Sequence, residues 1–227
     1  MSSYTTGITT KQHIVDAAGE LVAELGFDRV STRKVAELSN ENIGSIHYHF
    51  GGKDGLLEAV VYEAIDGCRN KDCYRIIEEM EPDSVEPEQL SQIIRMIVAQ
   101  DVLDLSRSDR PDWHAQVVYR LIQRKDKLFK IFVDEVMNPS IRALTKFFRI
   151  VDPSMDAETV QLHIALLKMP IFGHINNRTF MLRRLESDRY TESYLRKLED
   201  NLVKQTQLLL GLPPDKENCE DRQEMKR

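Results

Sequence analysis

The chain has 227 residues, and its 31 lysines and arginines against 37 aspartates and glutamates give it a formal net charge of −6. A composition of 41% hydrophobic and 30% charged residues, with 10 glycines and 8 prolines, is typical of a globular protein and excludes collagen-like, low-complexity and fully disordered chains. The negative charge argues against a uniformly basic nucleic-acid coat protein. A small basic surface is still compatible with this net charge, because net charge does not describe how charge is distributed.

The cysteines and the N-terminal residues bear on the compartment. Cys68, Cys73 and Cys219 are odd in number and form no C-x-x-C pair, which argues against a disulfide framework or a zinc site and predicts a reducing cytosol. The first seven residues contain neither a basic region nor an apolar run, so we expect no secretory signal. No stretch approaches the roughly 18 apolar residues of a membrane span, so we expect no membrane association.

The first apolar pattern predicts a helix from about Thr10 to Leu25, because its apolar residues recur at three- and four-residue spacing. Thr9 and Gln12 have the spacing of a capping box at its start. Gly26 is placed to end the helix in a left-handed conformation.

Three shorter helical patterns follow. The second helix is predicted from Ser31 or Thr32 to about Ser39 and the third from about 42 to 47, with a polar turn at 39–42 between them. The glycine pair at 51–52 breaks the third helix, and a fourth follows, for which a continuation past residue 67 to about 80 is an alternative.

The remaining patterns are also helical, so the predicted fold class is all-α. Residues 78–88 contain six acidic groups, no basic group and two prolines, and are predicted to be a solvated connection. Later helices are predicted near 90–98, 113–121, 128–148, 157–185 and 191–210, with Pro139 and Pro170 expected to kink or break two of them. Residues 215–227 are expected to form a disordered tail.

The short helices in the first fifty residues have the spacing of a helix-turn-helix module. Small and polar residues at 42–45 suit a recognition helix, because Gly44 and Ser45 would let its N-terminus approach a phosphate. Residues 29–53 contain four basic and two acidic residues, so this segment is locally +2 in a chain of −6. These features predict a narrow DNA-binding surface.

Residues 9–65 resemble the N-terminal domain of the TetR (tetracycline-repressor) family of bacterial transcription regulators. The resemblance is carried by STRKVA at 31–36 and by GSIHYHFGGKDGLL at 44–57, where the family has a Gly-Thr-hydrophobic-Tyr-Tyr-His-Phe-x-x-Lys-x-x-Leu string. It implies an all-α homodimer in the bacterial cytoplasm, located at the nucleoid when bound to DNA. It also implies a DNA-binding domain of three helices, which we expect at 1–67, and a larger effector-binding and dimerisation domain at 68–214.

The resemblance assigns DNA contacts to Thr32, Arg33, Ile43, Gly44, Ser45, His47, Tyr48, His49 and Lys53. Thr32, Arg33 and Lys53 match phosphate-contacting positions, whereas residues 43–45 match the base-facing start of the recognition helix. His47 departs from the family's usual tyrosine, and a histidine can donate a hydrogen bond to a base or a phosphate. Core packing is an alternative for Tyr48 and the expected role of Phe50. We expect neither a metal nor another cofactor, since His47 and His49 have no carboxylate or thiolate beside them.

The second region is aromatic enough to favour a pocket for a hydrophobic or aromatic small molecule, with ordinary core packing as the alternative. The candidate pocket residues are Trp113, His114, Tyr119, Phe132, Met137, Phe172 and His174. The Met137-Asn138-Pro139 run and the distal helices also resemble the branch of the family that has a CecR-type C-terminal domain.

Leucines of the last predicted helix repeat at three- and four-residue spacing, which favours a seam between two subunits. The candidate dimer interface is Ile164, Ile171, Leu195, Leu198, Leu202 and Leu209, and a seam within one chain is the alternative. The expected function is a ligand-controlled repressor that binds a palindromic double-stranded operator and is released by its effector. The rivals are an all-helical enzyme, for which no catalytic motif is found, and a helical adaptor that binds another protein.

Overall fold

The computed structural model describes residues 2–68, 72–82, 85–106 and 111–215. These residues form helices and no strand, which confirms the predicted all-α class. The α-helices are α1 (Ser2–Leu25), α2 (Thr32–Ser39), α3 (Ile43–Phe50), α4 (Lys53–Ile65), α5 (Asp72–Glu79), α6 (Pro87–Ser106), α7 (Trp113–Ile122), α8 (Lys127–Phe132), α9 (Asn138–Val151), α10 (Ala157–Asn176), α11 (Arg178–Arg184) and α12 (Glu192–Leu210).

The chain divides into two compact units, and the first combines two separate stretches of sequence. Residues 1–69 and 109–138 form this unit, so α7 and α8 belong with α1–α4. Its core is made by buried side chains from both stretches: Ile14, Val22, Val35, Ile46, Val60, Trp113, Val117, Leu121, Leu128 and Phe132. The sequence prediction divided the chain after residue 67. The packing of α7 against α1 and α4 places that part of the predicted second domain in the first unit.

The second unit contains residues 70–108 and 139–227. Its core lies among α5, α6 and α9–α12, and α12 packs mainly on α6. The segment after α12 is anchored in this unit, since Asp215 is 2% exposed and bonds Arg95 Nε at 2.9 Å and Gln207 Nε2 at 2.8 Å. The prediction of a disordered tail is therefore wrong for Asp215, while residues 216–227 lie outside the described residues.

Several helix boundaries differ from the prediction, among them that of α3, which ends at Phe50 and not near residue 47. α1 begins at Ser2, so Thr9 lies inside the helix and is not an N-cap, and Gln12 Nε2 donates to Asp16 Oδ1 at 3.2 Å. The predicted long helix at 157–185 is two helices that meet at Asn177, whose side chain donates to the carbonyl of Gly173 at 3.1 Å. Pro170 lies within α10, where its nitrogen has no N–H to donate to the carbonyl of Leu166.

Pro139 was predicted to kink or break its helix, and the structure accommodates it through a π-helical turn at Val133–Met137. The N–H of Asn138 donates to the carbonyl of Val133, five residues earlier, just before the proline that lacks an N–H. The helical run therefore continues from α8 into α9.

Candidate nucleic-acid interface

Local side-chain caps define the ends of α2 and α3. Ser31 Oγ accepts from the backbone N–H of Lys34 at 3.3 Å, and Asn42 Oδ1 accepts from that of Ser45 at 2.8 Å. Between the helices Asn40 has a φ of 55°, a left-handed conformation that asparagine tolerates better than most residues. Because each cap satisfies an N–H that the helix leaves unpaired, this short polar turn fixes where α3 begins.

Glycines at the other end of α3 bring α4 close to it. Gly51 and Gly52 have φ values of 72° and 128°, so they end α3 as their sequence predicts. Gly55 has a separate role, because a Cβ on it would lie 2.0 Å from the carbonyl oxygen of Phe50. In the sequence, Gly55 is recognisable only as one position of the family string. A glycine inside an apolar helical pattern is the signal that indicates such a close backbone approach.

One face of α3 is directed to solvent. Ile43 is 43% exposed and Tyr48 is 85% exposed, and Gly44 and His47 lie on the same side, whereas Ile46 is fully buried. The ring of Tyr48 makes an edge contact with that of His49, at 5.0 Å between centroids. The core alternative for Tyr48 is therefore wrong. Its neighbour Phe50 packs against the core, as predicted.

The other predicted DNA-contacting residues surround this face. Ser45, His49 and Thr32 are half-buried, and Arg33 is exposed and pairs with Glu37 at 3.1 Å. Lys53 is half-buried at the start of α4, with Nζ 3.5 Å from the carbonyl oxygen of Asp28. The predicted residues thus come from the starts of α2 and α4 and from α3.

Local structure also favours glycine at position 44, in addition to the room that it leaves for a bound surface. A Cβ on Gly44 would lie 2.8 Å from Asn42 Oδ1, the atom that caps α3. A side chain there would press on the cap as well as on any bound surface. Substitutions at Gly44 therefore change two properties of α3 at once, and His47 and Tyr48 are cleaner positions for testing recognition.

The candidate effector residues do not belong to one unit. Trp113, His114, Tyr119, Phe132 and Met137 lie in the first unit, and Phe172 and His174 lie in the second. Trp113 and Phe132 are 4% and 2% exposed within the first core, so the packing alternative describes them.

His174 is held by neighbours in the second unit. Its Nδ1 lies 2.7 Å from the carbonyl oxygen of Pro170, and its Nε2 lies 2.9 Å from the hydroxyl of Tyr194. Tyr190 donates to the His174 carbonyl at 2.9 Å. Both ring nitrogens of His174 thus have partners, and the contact of Nε2 with Tyr194 joins α10 to α12.

The candidate dimer residues also do not form one exposed surface. Four of them are buried in the second unit's own core, as the single-chain alternative expects: Ile164, Ile171, Leu195 and Leu202. Leu198 is half-buried against that core, whereas Leu209 is 53% exposed. The uncovered apolar residues of α10 are instead Leu162, Leu166 and Met169, which are 59%, 41% and 57% exposed.

In the part of the chain that the structure describes, no helix is both long enough and apolar enough to cross a membrane. Among the same residues, no group of three or more histidine, cysteine, aspartate or glutamate side chains is arranged to hold a metal ion.

Residues 14–60, which include α2, α3 and most of α4, match the family model described as bacterial regulatory proteins, tetR family. Over 60 residues the chain is 37% identical to the probable HTH-type transcriptional regulator YttP of Bacillus subtilis (strain 168). That alignment covers 26% of this chain and 29% of YttP, so the similarity to this relative lies in one part of each protein.

Solved structures resemble the chain over most of its length. Salmonella enterica GusR has a TM-score of 0.57 at 18% identity, with 89% of this chain and 96% of GusR covered. The SmeT–triclosan complex has the same TM-score at 12% identity, with 88% and 91% covered. At these identities the likeness establishes the fold.

Proposed function

We propose that this chain, which belongs to the tetR family of bacterial regulatory proteins, binds operator DNA through the exposed face of α3 and thereby regulates transcription. The observation that carries the proposal is the 85% exposure of Tyr48 on a helix whose two ends are fixed by caps and glycines. A large aromatic side chain held in water on a well-defined helix has apolar area available for a partner. The major groove is wide enough to admit such a helix.

Each residue of the surface has a role that its chemistry suits. Ile43, Gly44, Ser45 and His47 would face base edges, where Ile43 offers only van der Waals contact, for example to a thymine methyl group. Tyr48 and His49 would contact bases or phosphates. Thr32, Arg33 and Lys53 would contact phosphates, which fix the register of the protein on the duplex without reading its sequence.

A second copy of the chain is the proposed protein partner, so that two α3 helices read a palindromic operator. The exposed apolar stripe on α10, formed by Leu162, Leu166 and Met169, supports this proposal. Its four- and three-residue spacing is that of helices packed side by side in a bundle. We place the interface on this stripe and on Leu209, because the other predicted positions are covered within their own unit or half-buried against its core.

We further propose repression that a small hydrophobic or aromatic molecule relieves, in the bacterial cytoplasm and at the nucleoid when DNA is bound. Ligand control would require the effector to bind one of two conformations more tightly than the other. The SmeT structure contains triclosan, a small aromatic molecule, which supports a ligand of this kind in a protein of the same fold. The pocket residues and the CecR-type branch stay predictions.

Selection of bound duplexes from a random DNA library tests the proposal. We expect an enriched palindromic sequence, and an affinity that falls with salt with a log–log slope of about −0.9 per phosphate neutralised. Recovery of no preferred sequence, or an affinity insensitive to salt, would contradict DNA recognition and favour the adaptor or the enzyme.

Two substitutions separate the proposed roles. Lys53→Ala should weaken binding to selected and random duplexes alike and reduce the salt slope by about 1, because a phosphate contact is lost. His47→Ala should instead alter the preferred sequence. Lys197→Ala, which removes one exposed charge from α12 in the other unit, is the matched control and should change neither quantity.

A further inference from the structure

Arg120 of α7 lies against the C-terminal end of α1. Its Nε and Nη2 donate to the carbonyl oxygen of Ala23 at 3.0 and 2.7 Å, and Nη2 also donates to that of Glu24 at 3.0 Å. The last backbone bond at this end of α1 runs from the N–H of Gly26 to the carbonyl of Val22, at 2.9 Å. The guanidinium therefore donates hydrogen bonds to carbonyls that follow Val22 and accept no bond within α1.

The chemistry of this contact is favourable for a helix end. The final carbonyls of a helix lack intrahelical partners and carry the negative end of its dipole, so a cation with several fixed donors suits them. Gly26 follows at a φ of 84°, and a Cβ on it would lie 3.4 Å from Arg120 Nη1. Arg120 thus occupies the space beside the residue at which the chain leaves α1.

This corner leads directly to the proposed DNA-binding surface. After Gly26 comes a 3₁₀ turn at Phe27–Arg29, whose Phe27 is 2% exposed, and then Ser31, the N-cap of α2. Arg124 of α7's C-terminal loop supports the same turn, with Nη1 3.1 Å from Asp28 Oδ1 and its guanidinium 5.0 Å from the ring of Phe27. The direction in which α2 starts depends on how this corner is held.

Apolar packing also anchors α7 in the core of the first unit. Trp113 packs into the notch that Gly19 leaves in α1, and Val117 and Leu121 are fully buried in the same core. Removing the Arg120 guanidinium should therefore leave α7 docked while it frees the end of α1.

We propose that Arg120 is a positioning residue for DNA recognition, which holds the corner between α1 and α2 so that the starts of α2 and α3 present their contacts together. Arg120 itself does not touch DNA and acts through the backbone of residues 23–31. This inference rests on the proposed DNA-binding function. It adds a residue far along the chain that the family string does not contain.

The test uses the full chain and three variants: Arg120→Met, which keeps length without donors, Arg120→Lys, which restores a cation, and Arg196→Met as a control. Arg196 is exposed on α12 in the other unit and pairs with Glu192 at 2.9 Å, so its loss removes equal charge elsewhere. The DNA probes are the duplex selected by the wild-type protein and a scrambled duplex of equal length. Amide hydrogen exchange of the free proteins supplies a readout independent of DNA.

We expect Arg120→Met to weaken binding to the selected duplex about tenfold, the size of one charged hydrogen bond, and to leave binding to the scrambled duplex within about twofold. Amides of residues 26–40 should exchange faster, those of α6 and α12 should not, and Arg120→Lys should recover part of both effects. Arg196→Met should match the wild type.

Two results would overturn the inference. One is unchanged discrimination between the duplexes in a folded Arg120→Met protein. The other is an equal loss on both duplexes together with faster exchange throughout the unit, which would mean that Arg120 only stabilises the fold. A wild-type protein that prefers no sequence would instead reject the proposed function itself, and with it any role in recognition.

Discussion

At the scale of single residues, the first unit depends on close contacts that a Cβ would destroy. Gly19 of α1 faces the indole of Trp113, and a Cβ there would lie 2.4 Å from Trp113 Cδ2. A Cβ on Gly55 would lie 2.0 Å from the carbonyl oxygen of Phe50. Glycine is unfavourable within a helix, so its presence at both positions reflects the approach of another element. The sequence favours an effector-pocket role for Trp113 as well as core packing, because helical spacing does not show what an indole packs against.

Gly19→Ala should destabilise the first unit by about 1–3 kcal/mol, since the buried indole must move. Urea unfolding followed by the emission of Trp113, the single tryptophan of the chain, measures the change in the unit that contains it. Gly173→Ala in α10 is the control, because nothing lies within 4 Å of its Cβ position. Gly173 lies in the second unit, so unfolding of this variant is followed by circular dichroism. Gly173→Ala should be neutral or stabilise the protein by up to about 1 kcal/mol. Equal changes in unfolding free energy for the two substitutions would contradict the tight packing of Trp113 against Gly19.

At the scale of helices, ends are set by local caps in several places. Asp126 caps α8, where its Oδ1 accepts from the backbone N–H of Leu128 at 3.2 Å and of Phe129 at 3.4 Å, and it also pairs with Arg124. Hydrogen bonding from the Arg124 guanidinium holds the pKa of the Asp126 carboxyl below its ordinary value, and the two backbone N–H groups act in the same direction. The cap thus connects the start of α8 to the turn at Phe27–Arg29, which Arg124 also contacts.

Asp126→Ala should cost about 1 kcal/mol of unfolding free energy at neutral pH, the usual value of an N-cap, whereas Asp126→Asn should retain most of the cap but lose the ion pair. Because the folded-state pKa of Asp126 is lowered, its charge stabilises the fold above the unfolded-state pKa. That contribution is lost as pH falls through the folded-state pKa. The difference in unfolding free energy between the wild type and Asp126→Asn should therefore disappear in acid. Urea titrations at a series of pH values would measure it.

Asp112 offers a control for the cap. It precedes α7 in the same position but makes no capping hydrogen bond, so Asp112→Ala should change stability little. A loss as large as that of Asp126→Ala would mean that the negative charge near a helix start, rather than the hydrogen bonds of the cap, explains both results.

At the scale of the molecule, each unit covers some of its apolar helix faces and leaves others exposed. The α12 leucines that suggested a subunit seam are largely used against α6, and the exposed stripe lies on α10. Both stripes have similar spacing, so the pattern alone cannot distinguish a partner within the chain from a second chain. The structure therefore changes which residues a dimer test should address.

Leu166→Glu should raise the dissociation constant of the proposed dimer by roughly tenfold or more. The monomer should stay folded, because Leu166 is 41% exposed on the α10 stripe. Leu195→Glu should instead unfold the second unit, since Leu195 is 7% exposed and would bury an unpaired charge. Analytical ultracentrifugation and circular dichroism separate the two outcomes. A folded Leu166→Glu protein that dimerises like the wild type would exclude the stripe as the interface.

The sequence by itself determined the helical class, both ends of α2 and α12, and the start of α3. These features are local, since caps such as Asn42 and left-handed glycines such as Gly51 act within a few residues of the helix they end. Only the tertiary structure decided that α7 and α8 join the first unit, that Trp113 fills the notch at Gly19 and that Leu195 is covered by its own chain. The reason is that hydrophobic burial has no direction: an apolar stripe indicates that some surface covers it, and three-dimensional packing selects which one.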